Sequence, residues 1–287
     1  MPIDLHVHST HSDGSLTPAA IIAEAKRLRL TAVALTDHNT VAGLPGFMTE
    51  AKRHGVTAVA GTELSTVYGG REIHLLGLFI SPDRYADIEA LMKDYHIRKD
   101  QSNRALVSRL NRSGYVIDYT EIQHKNPNGN INRAIIAKEL LEKGYVTSVK
   151  EAFDTLLAEG LGYYIPPERL DFLDAILFLR SIGAVPVWAH PLQYMDETAV
   201  REILPLAVKA GLVGMEVQHS SYTAETVVIA KALADEFGLL PSGGSDFHGA
   251  AKPDVRLGVG RKNPEAPWLP NIPDSYYERL RAKATCL

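Results

Sequence analysis

Sulfur is nearly absent from the reactive side chains of this sequence. Its one cysteine, Cys286, excludes an intramolecular disulfide and any thiolate metal cage. No apolar run approaches the roughly 20 residues a membrane span requires. The first residues carry no basic segment followed by an apolar core, so no secretory signal is visible, and a cytoplasmic location is the expectation. No Gly-x-Gly-x-x-Gly follows the first apolar run, which leaves a dinucleotide fold without support. A net charge of −4 argues against a nucleic-acid coat or a membrane-surface role for the whole molecule. What remains is globular: 287 residues, 45% hydrophobic and 22% charged, enough for one large α/β domain or two ordinary ones.

Seven short apolar runs recur along the chain: IDLHVH, AVALTDH, AVAGTELS, IHLLGLFI, AVPVWAHP, GMEVQHS and LLPSGGSDFH. Amphipathic stretches separate several of them. TPAAIIAEAKRLRL has Thr17 placed to cap and Pro18 in the first turn. DFLDAILFLRSIG and AETVVIAKALADEFG each end on a glycine suited to a helix C-terminus. Near-continuous apolar strands alternating with helices predict parallel strands buried on both faces. The expected fold class is α/β, a (β/α) barrel rather than an open doubly wound sheet. The rhythm breaks at residues 82–166, where helical stretches occur without a convincing strand. This predicts a barrel from residues 1–81 and 167–287 with a helical insertion at 82–166. Insertions after a barrel strand commonly serve the active-site face. From Lys93 to Lys138 nine Lys and Arg stand against four Asp and Glu, a local excess suited to an anionic substrate. The Pro-rich tail after Gly258 is expected to wrap the surface.

The chemistry collects at strand ends. His6 and His8 lie two apart on a strand and so face the same way. Asp13 follows in the loop, Asp37 and His38 close the second run, and Glu63 sits in the third. His190 ends the fifth run; Asp246 and His248 end the seventh. His74 does not fit a strand-end rule, since it stands near the beginning of its run. Five of the eleven histidines falling at strand C-termini point to the end of a barrel where enzymes of that fold keep their chemistry. Nitrogen and oxygen donors without sulfur suit zinc, manganese or iron. Their number implies two or three clustered ions with a bridging carboxylate. His11, Glu216, His219 and Tyr222 are placed to touch substrate or to support the ligands, and His219 is the residue considered as general acid. His54, His96 and His124 read as ordinary structural or surface histidines.

The motifs HVHSTHSDG, TDHN, GTELS, AHP and GSDFHG together resemble the polymerase and histidinol phosphatase (PHP) superfamily. The match is closest to stand-alone members with a helical insertion, which include nucleoside 3′,5′-bisphosphate phosphatases and 5′-exonucleases. The resemblance implies a distorted (β/α)7 barrel holding up to three metal ions, manganese being expected and zinc or iron the alternatives. It implies a first ion on His6, His8, Glu63 and Asp246, a second on Glu63, His74 and His190, and a third on Asp13, His38 and His248. It also accounts for His74. Where related chains carry Arg-Pro-His, this one has Arg133-Ala134-Ile135, so Arg133 is the surviving phosphate-binding candidate.

The resulting expectation is a metal-dependent phosphatase acting on a small nucleotide, with no membrane role and no obligate protein partner. In-line attack of an activated water on phosphorus would release the ribose oxygen. Arg98, Arg104 and Arg133 would hold a second phosphate, because guanidinium matches phosphate bidentately. The alternatives are a 5′-to-3′ exonuclease on short oligonucleotides and a non-catalytic metal- or nucleotide-binding module. A metal-dependent amidohydrolase shares the His-x-His opening, but no barrel-strand lysine suits a carboxylated bridge.

Overall fold

A computed structural model describes residues 2–126, 131–258, 260–261 and 272–284. The Pro-rich NPEAPWLPN stretch and Cys286 lie outside the described residues. The chain divides into two compact units, one of Met1–Glu89 with Leu170–Leu287 and one of Ala90–Arg169.

The first unit is a barrel-shaped sheet. All seven apolar runs form its strands: β1 Ile3–Asp4, β2 Ala32–Leu35, β3 Ala58–Tyr68, β4 Arg71–Leu78, β6 Val185–Trp188, β7 Gly214–His219 and β8 Leu240–Gly244. They neighbour one another in the order β1-β2-β3-β4-β6-β7-β8. Backbone bonds then join the two ends. Leu5 N donates to Gly243 O at 3.2 Å, Asp246 N to His6 O at 2.9 Å, and His8 N to Phe247 O at 2.9 Å. A short strand, β5 Leu170–Asp171, adds to the far end of β3 in parallel.

The strands contribute the buried residues Ile3, Leu5, Val33, Leu35, Leu64, Leu75, Val187 and Val217 to the core. Helices cover the outside because each has one apolar stripe to hide. These are α1 Pro18–Arg27, α2 Leu44–His54, α7 Phe172–Ser181, α8 Glu197–Ala210, α9 Ala224–Glu236 and α10 Asp274–Ala284. Thr17 caps α1 as expected, its hydroxyl accepting from Ala20 N at 3.2 Å. Gly183 and Gly238 follow α7 and α9 with φ of 75° and 67°.

One expectation requires correction. The strands are not all parallel: β4 runs antiparallel to both β3 and β6. Only Gly69 and Gly70 separate β3 from β4, with φ of 56° and 76°. Two residues cannot carry a crossover helix, and paired positive φ values make the tight turn of a hairpin. The third run also extends beyond AVAGTELS to Tyr68, paired there with Arg71. The reversal has a direct consequence for His74. On an inverted strand the N-terminal part reaches the end of the barrel where the other strands finish. His74 therefore pairs with Ser65, two residues beyond Glu63 on β3.

The second unit contains no strand among the described residues. It holds most of α3 Tyr85–Arg112, with α4 Tyr119–Lys125, α5 Arg133–Glu142 and α6 Val149–Ala152. Its own core is formed by Leu106, Leu110, Ile122, Ile136, Leu140 and Leu157. Asp118, Asn132 and Ser148 cap α4, α5 and α6, each accepting from backbone N–H groups of the first turn.

Candidate metal centre

Glu63 is the hub. Its side chain is buried, with three imidazoles around one oxygen and two around the other. Oε2 lies 3.2 Å from His6 Nε2, 3.2 Å from His8 Nε2 and 3.1 Å from His38 Nδ1. Oε1 lies 2.8 Å from His74 Nδ1 and 3.1 Å from His190 Nε2. Those histidines are spread over residues 6–190 and come from four strands or strand ends. Burial alone would raise the Glu63 carboxyl; the surrounding imidazoles of His6, His38 and His74 instead hold it well below the usual range.

Two further carboxylates complete the cluster. Asp246 Oδ1 faces His8 Nε2 at 3.3 Å, His248 Nδ1 at 3.4 Å and His6 Nε2 at 3.6 Å. Asp13 faces His248 Nε2 at 3.1 Å, with His38 at 3.8 Å and His8 at 3.9 Å. Burial opposes ionisation of both, and neighbouring groups hold both well below the usual range: the imidazoles of His248 and His38 at Asp13, Lys252 and the imidazole of His248 at Asp246. The histidines divide. Burial works against the cation in His8 and His74, yet Asp246 and Glu63 push His8 up to about 9, and Glu63 with Glu72 pushes His74 up to about 10. His38 and His190 are held down to about 3 and about 4 by burial.

The backbone is bent to aim these groups. His190 and Asp246 adopt φ of 30° and 55° at the ends of their strands, a left-handed conformation costly for residues with a side chain, of order 1–3 kcal/mol each. Gly244 is needed for a different reason. A Cβ there would stand 2.2 Å from the Cβ of His6, so only glycine lets the closing strand approach β1 this tightly.

The donor set fits metal. His6 Nε2, both ring nitrogens of His8, His38 Nδ1, Glu63 Oε2 and His219 Nε2 are buried with no hydrogen-bond partner, although buried polar atoms are ordinarily satisfied. They point at one another across the gap that a cation would fill. Four groups have ligand atoms within 4.8 Å of one another: His8, Asp13, His38 and His248; His6, His8 and Glu63; His38, Glu63 and His74; His6, His190 and His219. All nine residues singled out in the sequence thus fall in one neighbourhood. His219 joins it, with Nε2 3.4 Å from Asp246 Oδ2 and Nδ1 2.8 Å from Ser221 Oγ.

Other acids near the strand ends do different work. Glu216 accepts from His190 N at 2.8 Å and lies 3.1 Å from His6 Nδ1, fixing the ring so that Nε2 faces Glu63 and Asp246. Asp37 turns away from the cluster to accept from Ser9 N, Ser9 Oγ and Ser12 Oγ at 2.6–2.7 Å, which shapes the loop carrying Asp13. Asp4, fully buried, accepts from Ser245 N, Ser245 Oγ and Gly258 N and clasps β1 to the segment after β8. The hydroxyl of Tyr222 accepts from Leu192 N. His11 is half-buried; His54 lies 3.5 Å from Glu50 on α2, and His124 is exposed.

The three arginines assigned to a remote phosphate belong to the second unit. Arg98 is exposed on α3. Arg104 pairs with Asp100 at 2.7 Å and stacks 4.7 Å over Tyr119. Arg133 stacks 4.2 Å over Tyr164 and donates to Leu157 O at 3.2 Å.

A barrel mouth lined by imidazoles and carboxylates of this kind is the centre of a metal-dependent phosphoesterase. The chain belongs to the PHP domain family, which its residues 4–164 match. It is similar to a 3′,5′-nucleoside bisphosphate phosphatase of Chromobacterium violaceum, 31% identical over 249 residues that cover 86% of this chain and 87% of that one. It is equally similar to a 5′-3′ exoribonuclease of Haemophilus influenzae, 31% identical over 246 residues covering 85% and 89%. A crystal structure of a candidate metal-dependent phosphoesterase from Bifidobacterium adolescentis shares the fold, with a TM-score of 0.83 at 24% identity over 99% of this chain and 98% of that one.

Proposed function

We propose that the chain removes the 3′-phosphate from nucleoside 3′,5′-bisphosphates, adenosine 3′,5′-bisphosphate giving AMP and phosphate. The observation that carries this is the crowding of five imidazoles on one buried carboxylate, Glu63. Such a site suits cations between its members, because buried donors there have no other hydrogen-bond partner. His6, His8, Glu63 and Asp246 would hold one ion; Glu63, His74 and His190 a second; Asp13, His38 and His248 a third. Divalent ions held there would supply an acidified water and neutralise the charge that grows on the phosphoryl oxygens. Manganese is the ion we assign, with zinc or iron the alternatives that a donor set of nitrogen and oxygen also admits.

The protein's own part is to position. Glu216 orients His6, and Asp37 holds the loop that presents Asp13. His219 reaches Asp246 from the side opposite its backbone anchor at Ser221 and is the group we assign to protonate the leaving ribose oxygen. Arg98, Arg104 and Arg133 are assigned to a second phosphate, which contributes binding energy remote from the reacting bond. We assign residues 82–166 as a substrate-handling unit on the strength of its basic excess, and we assign a cytoplasmic location. No helix among the described residues is long and apolar enough to cross a membrane.

The similarity to an exoribonuclease supports a second reading, in which the same centre cleaves a diester at the 5′ end of a short oligonucleotide. A panel separates the readings. Manganese-loaded protein is incubated with adenosine 3′,5′-bisphosphate and, separately, with a 5′-phosphorylated oligonucleotide. Phosphate from the mononucleotide alone supports the phosphatase; stepwise mononucleotide release supports the nuclease. Turnover of neither would favour a binding module and refute both.

A further inference from the structure

Lys252 is a basic side chain in contact with the cluster that no metal can use, because an ammonium has no lone pair. Its Nζ lies 2.5 Å from Asp246 Oδ2. The two oxygens of Asp246 are divided between tasks. Oδ1 faces inward to His6, His8 and His248, the donors of the metal cluster. Oδ2 faces Lys252 and His219. A cation on Oδ1 therefore leaves the ammonium of Lys252 in place beside the centre.

Charge balance makes that position unusual. Three carboxylates, Asp13, Glu63 and Asp246, with Glu216 behind His6, would face as many as three divalent ions, so a fully loaded cluster would already be cationic. Lys252 adds a positive charge where none is needed for neutrality. Its location is also fixed by the backbone: Lys252 N donates to Gly249 O at 3.1 Å and Lys252 O accepts from Val255 N at 3.0 Å. The side chain remains 41% exposed, so it reaches the centre from the solvent side, the direction from which an anion arrives.

We propose that Lys252 binds a non-bridging oxygen of the phosphoryl group that occupies the metal centre, donating one N–H to it while a second stays on Asp246 Oδ2. Three rotatable donors on one nitrogen allow both at once. This rests on the phosphoesterase reading of the site and adds to it a residue that senses the reacting group itself. The ligand class is a phosphate mono- or diester whose phosphorus lies within reach of Asp246.

The test uses inorganic phosphate as probe and needs no knowledge of the natural substrate. Lys252→Met and Lys252→Arg proteins are loaded with manganese, their metal content is measured by elemental analysis, and phosphate affinity is measured by calorimetry. Lys252→Met is expected to keep its metal and to lose phosphate affinity tenfold or more, with Lys252→Arg recovering most of it. In steady-state kinetics Lys252→Met should lower kcat as well as raise KM. Unchanged phosphate affinity in the metal-replete Met variant would overturn the proposal. So would loss of metal that accounts for the whole effect, since Lys252 would then only position Asp246. Phosphate binding through Lys252 in a protein that hydrolyses no bisphosphate would sink the substrate assignment and leave this inference standing.

Discussion

Glu216→Ala removes one acceptor from two donors at once. The Glu216 carboxylate lies 3.1 Å and 3.2 Å from His6 Nδ1 through its two oxygens and takes the 2.8 Å bond from His190 N. Two effects compete when it goes. His6, whose burial opposes the cation, is raised well above the usual range by Glu63 and then by Glu216, so losing Glu216 makes the ring easier to deprotonate and favours a metal. Against that, the ring loses the anchor that keeps Nδ1 protonated and Nε2 aimed at Glu63. Losses of such supporting groups typically weaken metal binding about 10–100-fold, or about 1.4–2.8 kcal/mol, so orientation outweighs the easier deprotonation. The orphaned donors add about 1–3 kcal/mol of instability each. Glu216→Gln should be far milder. A glutamine oxygen in the place of Oε2 stays within reach of both donors, so a loss below tenfold is expected. Competition titration of metal-stripped protein against a fluorescent chelator gives the affinities, with circular dichroism to confirm folding. A folded Glu216→Ala protein that binds manganese within twofold of the parent would refute the reasoning.

Asp246→Ala should abolish turnover and lower the bound metal by at least one equivalent in elemental analysis; full activity would end its assignment as a ligand. Metal binding should also release protons. His8 and His74 sit at about 9 and about 10 in the metal-free protein, so both are protonated at pH 7 and must become neutral to ligate. Raising the pH from 7 towards 9 therefore strengthens binding by up to about tenfold per unit for each proton displaced. Calorimetry in buffers of different ionisation enthalpy reads that release, and a buffer-independent heat would contradict it. Gly244→Ala forces a Cβ to within 2.2 Å of His6 Cβ; thermal denaturation should show a loss of about 1–3 kcal/mol, with weaker metal binding, whereas a parent-like protein would mean the seam is looser than described. Arg133→Ala should raise KM for bisphosphates with little change in kcat, and unaltered kinetics would remove Arg133 from the substrate site.

The strands and the clustering of the candidate ligands were legible because both rest on local patterns. Apolar runs bounded by polar residues mark all seven strands, and a His or acid at the end of every run but the fourth marks the mouth. The reversal of β4 was written only in Gly69 and Gly70, a turn signal easily absorbed into a long apolar stretch. Missing it made His74 look misplaced, although it sits where an inverted strand puts it. Acids inside apolar runs were visible as Asp4, Glu63 and Glu216, but sequence does not tell which donors a buried carboxylate will meet. Asp4 meets backbone N–H groups, Glu63 meets five imidazoles, and Glu216 meets one ring and one amide. Asp37 adjoins His38 yet faces the opposite way, since successive side chains alternate. Lys252 carries no motif at all; only the fold brings it to Asp246.

Anomalous X-ray scattering from crystals grown with manganese tests the central claim most directly. Two or three peaks should appear around Glu63: one among His6, His8 and Asp246, one by His74 and His190, and one among Asp13, His38 and His248. An absence of peaks there in active protein, or ions bound only elsewhere, would contradict the account.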